Sequence, residues 1–126
     1  MQTALRIRKP DNWHVHLRDG DILIAVARFT ARQFARVLVM PNLVPPVTST
    51  EMAEGYRQRI MQALPKGSSF QPLMTLYLTD NVDVEDLKHG FKKKVFTSAK
   101  LYPVGATTNS DAGVTSIAKI YKALEA

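Results

Sequence analysis

Apolar and polar positions along the 126 residues alternate with strand period and then recur with helix period, several times over. Leu5-Arg6-Ile7-Arg8 alternates cleanly and predicts a short strand, closed by a turn at Pro10-Asp11-Asn12. Trp13 to Leu17 predicts the next strand. Asp19-Gly20-Asp21 offers an N-cap and early negative charge for a helix from about Ile22 to Phe34. Its residues Leu23, Val26, Ala27, Thr30 and Phe34 recur at three and four, so one face should be buried. Val37 to Met40 is a continuous apolar run, as expected of a strand covered on both sides, and Pro41 stops it. Pro45-Pro46 stiffens the loop that follows. Thr48-Ser49-Thr50-Glu51 matches a capping box and predicts a second helix to about Leu64, ended by Pro65-Lys66-Gly67.

Leu73 to Leu78 predicts a third buried strand, with Pro72 at its entrance, where a missing N–H does least harm. Asp83 caps a short third helix expected to end near His89-Gly90, with Gly90 as the residue just past its end. Val95 to Tyr102 predicts a fourth strand, stopped by Pro103. A polar loop, Gly105 to Asp111, leads to a last helix from about Thr115, with Ile117, Ile120, Tyr121 and Leu124 on one face. Strand and helix thus alternate with short connections, which indicates a parallel α/β sheet with right-handed crossovers in a single domain.

Composition changes this picture little. Hydrophobic content of 45% and charged content of 22% are ordinary for a globular protein. With no cysteine, neither a disulfide framework nor a thiolate metal site can form, which fits a reducing cytoplasm. Met1 to Pro10 has no continuous apolar core, so a signal peptide is not expected, and no apolar run approaches a membrane span. The net charge of +6 raises nucleic acid as a partner, but the basic residues are scattered and only Lys92-Lys93-Lys94 forms a run. That pattern argues against a nucleic-acid interface.

In parallel α/β architectures, function gathers at the C-terminal ends of the strands, and the chemically capable side chains lie there. In Trp13-His14-Val15-His16-Leu17-Arg18, the period of two sends His14, His16 and Arg18 to one strand face. Two convergent imidazoles make half of a metal site, although His-x-His also occurs by chance in strands. Arg18 offers a planar fork of donors to an anion. Asn42 follows the next strand. Lys100 lies in a strand that should be buried, where an unpaired ammonium is costly, so it either reaches the sheet rim or is paired or modified. His89 sits where a cation complements a helix C-terminus and reads as structural.

His14-Val15-His16-Leu17-Arg18-Asp19-Gly20, Met40-Pro41-Asn42-Leu43, Tyr77-Leu78-Thr79-Asp80 and Ala99-Lys100-Leu101-Tyr102-Pro103, followed by Ala106-Thr107-Thr108-Asn109-Ser110, together resemble the dihydroorotase family. The likeness is to its monofunctional bacterial type, in the amidohydrolase superfamily, and runs in order over nearly the whole chain. The resemblance implies a TIM (β/α)₈ barrel with two zinc ions, interconverting dihydroorotate and N-carbamoyl-L-aspartate in cytoplasmic pyrimidine synthesis. It implies that His14 and His16 bind the more buried zinc and that Lys100 is carboxylated and bridges both metals. Arg18 and Asn42 would hold the substrate carboxylate with His16 nearby, and Thr107 and Thr108 would lie on a closing loop.

The family site also needs two further histidines and a general-base aspartate from later strands. This sequence has no histidine after His89 and no predicted strand after Tyr102, whereas a full barrel takes about 250 residues. The expectation is therefore the N-terminal half of a metal-dependent amidohydrolase barrel, about four β/α units. It would be inactive alone, completed by a C-terminal half and homodimeric when complete. A non-catalytic scaffold of the same fold is the alternative.

Overall fold

The computed structural model describes residues 4–126, so Met1 to Thr3 of the segment read as lacking a leader lie outside the described residues. Three parallel strands, β1 (Asn12–Val15), β2 (Arg36–Val39) and β3 (Gln71–Leu73), pair in the order β1-β2-β3. Two more, β4 (Thr75–Leu78) and β5 (Ser98–Leu101), form a second parallel pair. Helices α1 (Gly20–Gln33), α2 (Thr50–Gln62) and α3 (Val84–Lys92) make the crossovers between successive strand positions. The α/β alternation predicted from periodicity is therefore present.

The predicted strand Leu73 to Leu78 is broken at Met74, which is buried. Up to Leu73 the chain pairs with β2, and from Thr75 it pairs with β5. The Met74 carbonyl accepts from the Thr97 N–H at 3.0 Å at the point where the partner changes. A continuous apolar run signals a buried strand but says nothing of which neighbour each residue faces.

One core lies between the strands and the helices. Val37 and Val39 from β2 and Leu76 and Leu78 from β4 pack with Leu23 and Ala27 of α1 and with Ala53, Tyr56 and Ile60 of α2. Leu87 and Phe96 extend it beneath α3. Each buried aliphatic side chain stabilises the fold by about 1.5–3 kcal/mol relative to exposure. Asp19 caps α1 by accepting from the Gly20 N–H, and Asp83 caps α3 by accepting from the Glu85 and Asp86 N–H groups, as expected from sequence. Asp86 in turn accepts the Thr50 N–H at 2.8 Å, which ties α3 to the start of α2.

Several expectations are corrected. Leu5 to Arg8 forms no strand, and Leu5 and Ile7 are 87% and 72% exposed. Alternation by itself does not make a strand: among the described residues this segment pairs with no sheet edge, and β1 pairs with β2 alone. The cap of α2 is Ser49, accepting from the Met52 N–H, one residue after the predicted box began, so Glu51 does not close a reciprocal box. Helix α3 runs through Gly90 to Lys92, and Lys94 rather than Gly90 takes the left-handed conformation, at φ +57°. Gly90 is needed inside the helix for space, since a Cβ there would collide with the Phe96 ring and the Thr50 hydroxyl. The predicted last helix is a 3₁₀ turn, Ile117–Ile120, leading into the short α4 (Tyr121–Leu124). Only Ile120 of its expected apolar face is buried.

Candidate metal and substrate site

Strand β1 ends at Val15, so His16 lies just beyond it, and the β1–β2 register shifts between Asn12 and Val15. The two imidazoles still converge: His14 Nε2 and His16 Nε2 lie 3.1 Å apart. Arg18 is not on the strand face predicted for it. It occupies a turn with φ +59°, in the left-handed region that costs an ordinary residue about 1–2 kcal/mol. The turn, not strand alternation, aims this guanidinium, whose Nη1 is buried with no partner among the described residues.

Asn42, 2% exposed, follows β2. Its amide nitrogen donates to the Thr108 carbonyl at 2.9 Å, and its backbone carbonyl accepts from the Asn109 amide at 3.0 Å. The loop carrying Thr107 and Thr108 is thus fastened to the segment after β2. Asn109, at φ +53°, also has its carbonyl held by the Tyr77 hydroxyl at 3.2 Å. Lys100 is opposite Tyr77 in the β4–β5 ladder and half-buried, with its Nζ 5.6 Å from the centroid of the Tyr102 ring. Tyr102 stacks on Tyr77 at 5.0 Å, and its buried hydroxyl has no partner among the described residues.

These groups share one electrostatic environment. Burial holds His16 below the ordinary imidazole value, and the charges of Arg18, His14 and Lys100 push the same way against an opposing Asn42 side-chain interaction. His16 is therefore kept neutral, the form in which imidazole donates a lone pair to a metal. Burial, with Tyr77 beside it, pushes the Tyr102 phenol up to about 12, so it remains a hydrogen-bond donor at neutral pH. His14, His16, Arg18, Asn42 and Lys100 thus come together at one end of the strands. His89 stands apart, exposed in the last turn of α3. Among the described residues no cluster of three or more His, Cys, Asp or Glu side chains suits a metal.

No family model matches the chain. Curated relatives do. The chain is 57% identical over 126 residues to a dihydroorotase of Edwardsiella ictaluri, and 58% identical over 125 residues to one of Novosphingobium aromaticivorans. Along its whole length the chain is homologous to dihydroorotases. It covers all or nearly all of itself in these matches but only 36% of each relative, about a third of the length of the dihydroorotases it resembles. Among solved structures, a dihydroorotase of Campylobacter jejuni superposes with a TM-score of 0.83 at 39% identity, over 93% of this chain and 34% of that one. A dihydroorotase of Saccharomyces cerevisiae in complex with 5-fluoroorotic acid gives the same TM-score at 27% identity, over 92% of this chain and 32% of that one.

Sequence reasoning missed Tyr56, Tyr77, Tyr102 and Asn109 as parts of this site. Tyr56 donates from a fully buried position to the Arg18 carbonyl at 2.7 Å. Its signal was a hydroxyl in the apolar stripe Ala53, Tyr56, Ile60, since a buried phenol usually finds a partner. Asn109 sat in the polar loop without distinction, because its left-handed backbone is set by contacts distant in sequence.

Proposed function

We propose that this chain supplies the first metal ligands and the carboxylate-binding groups of a dihydroorotase site built on a (β/α)₈ barrel, of which it forms the N-terminal half. The reaction is the reversible hydrolysis of dihydroorotate to N-carbamoyl-L-aspartate in pyrimidine synthesis. The observation that carries the reading is the convergence of His14 and His16 beside Lys100, Arg18 and Asn42, in a chain homologous throughout to dihydroorotases. The donor set fits zinc. Two ligands about 2.0–2.1 Å from one tetrahedral ion are about 3.3 Å apart, close to the His14–His16 separation.

When bound, zinc supplies Lewis acidity, lowering the pKa of water and polarising a carbonyl. His14 and His16 would hold the first ion, each through a ring-nitrogen lone pair. Lys100, carboxylated on Nζ, would exchange a costly cation for an anion able to hold metal. Arg18 grips the substrate carboxylate through its fork, with Asn42 beside it and His16 near the substrate. One Asn42 amide N–H holds the Thr108 carbonyl and the second is left for that carboxylate, so the loop with Thr107 and Thr108 is fastened to a side chain that grips substrate. The general-base aspartate and the remaining ligands come from the part of the protein beyond these 126 residues, and the complete enzyme is a homodimer.

The test is a chimaera in which these residues replace the matching stretch of the Edwardsiella ictaluri enzyme. Cyclisation of N-carbamoyl-L-aspartate is followed with zinc and bicarbonate, beside the 126-residue chain alone. The chimaera should turn over, and the chain alone should not, since positioned general-base help alone is worth about 10²–10⁴-fold. A folded, zinc-loaded but inactive chimaera, or robust turnover by the purified chain alone, overturns the proposal.

A further inference from the structure

Arg18 holds a backbone conformation that L-residues avoid, at φ +59°, and Gly20 two residues on is also left-handed at φ +55°. Something outside the turn has to stabilise it. Helix α2 does so with two side chains three residues apart on one face. Tyr56, fully buried, donates its hydroxyl to the Arg18 carbonyl at 2.7 Å. Arg59 grips the next residue, with its Nε 3.0 Å from Asp19 Oδ1 and its Nη2 2.9 Å from Asp19 Oδ2. The two grips are themselves in contact, the Arg59 guanidinium lying 5.4 Å from the centroid of the Tyr56 ring. Asp19 also caps α1, so the turn is fastened at both its carbonyl and its carboxylate.

A phenylalanine would fill the same core volume as Tyr56. What the tyrosine adds is one oxygen, and that oxygen makes its hydrogen bond to the residue whose guanidinium Nη1 is buried and unpartnered. We infer that Tyr56 is a positioning residue: its hydroxyl holds the Arg18 turn and thereby aims the guanidinium at an anionic substrate. The anion-binding role of Arg18 rests on the dihydroorotase reading above, whereas the mechanical link from Tyr56 to Arg18 does not.

The link is read first on the 126-residue chain by NMR, which needs no activity. In Tyr56→Phe the Arg18 backbone amide and Nε–H should lose order, while the Arg57 signals keep theirs. An equally ordered Arg18 overturns the inference. The functional consequence is read in the chimaera. Tyr56→Phe should raise KM for N-carbamoyl-L-aspartate about fivefold with kcat held within about twofold, because the loss falls on substrate grip rather than on the reacting atoms. In an Arg18→Lys background the same change should add less than about twofold, since the two residues act in series. A lower melting temperature with KM and kcat both unchanged would mean that Tyr56 only stabilises the core, and that overturns the proposal. Should Tyr56→Phe not fold, Arg59→Gln at the half-exposed end of the same grip should raise KM about two- to threefold with the same coupling to Arg18. An unchanged KM there is equally fatal. An inactive parent chimaera would refute the dihydroorotase reading, and the NMR result would still decide the link.

Discussion

Asn109 performs two tasks at once, and two substitutions separate them. Its side-chain amide donates to the backbone carbonyl of buried Asn42, and its own backbone sits at φ +53°. Asn109→Gly removes the hydrogen bond but accepts the left-handed backbone. That costs about 1 kcal/mol for the bond, plus about 0.5 kcal/mol for the extra freedom of the open loop. Asn109→Ala loses the same bond and forces a side chain with no local hydrogen bond into the left-handed region, a further 1–2 kcal/mol or so. The loop should therefore open about tenfold more readily in the glycine variant and about 30- to 150-fold more readily in the alanine variant. Native-state hydrogen exchange reads this at the Gly105 and Gly113 N–H groups, both bonded to the Ser110 carbonyl. The reasoning fails if alanine protects as well as glycine, or if neither variant departs from the parent.

Two further outcomes test the fold beneath the site. Gly90→Ala, which at an open helical position stabilises by about 1 kcal/mol, should here destabilise, because overpacking against Phe96 and Thr50 costs about 1–3 kcal/mol. A higher urea midpoint for the variant would contradict the contact. The Asp80 carboxylate accepts from the Thr115 N–H and hydroxyl and from Lys119 Nζ, bonds that tie the end of β4 to the last turns of the chain. Led by Lys119 and then Thr115, these bonds lower its pKa from 3.8 to about 2. A lowered folded-state value means the contribution is complete above the unfolded value and is lost as pH falls through the folded one. Asp80→Asn should therefore be less stable than the parent at neutral pH, with the gap in urea midpoint closing as pH falls from 3.8 to about 2. A gap that stays constant across that range would refute the assignment.

The elements of this protein were legible in its sequence wherever the signal was local. Periodicity marked three strand–helix crossovers, Asp19 and Asp83 marked helix starts, and the residues at strand ends included His14, His16, Asn42 and Lys100, which the structure brings together. These features depend on neighbours within a few residues, so chain geometry alone specifies them. Tertiary structure decided whatever depended on a distant partner. Met74 breaks a predicted strand because pairing passes from β2 to β5 there, and among the described residues Leu5 to Arg8 pairs with no strand despite its alternation. Gly90 looked like a helix terminator and is instead the gap that admits Phe96. Arg18 reaches the site through a left-handed turn that Tyr56, 38 residues away in the chain, holds in place. A residue's conformational preference is written in its immediate sequence, but the contact that overrides that preference exists only once the chain has folded back on itself.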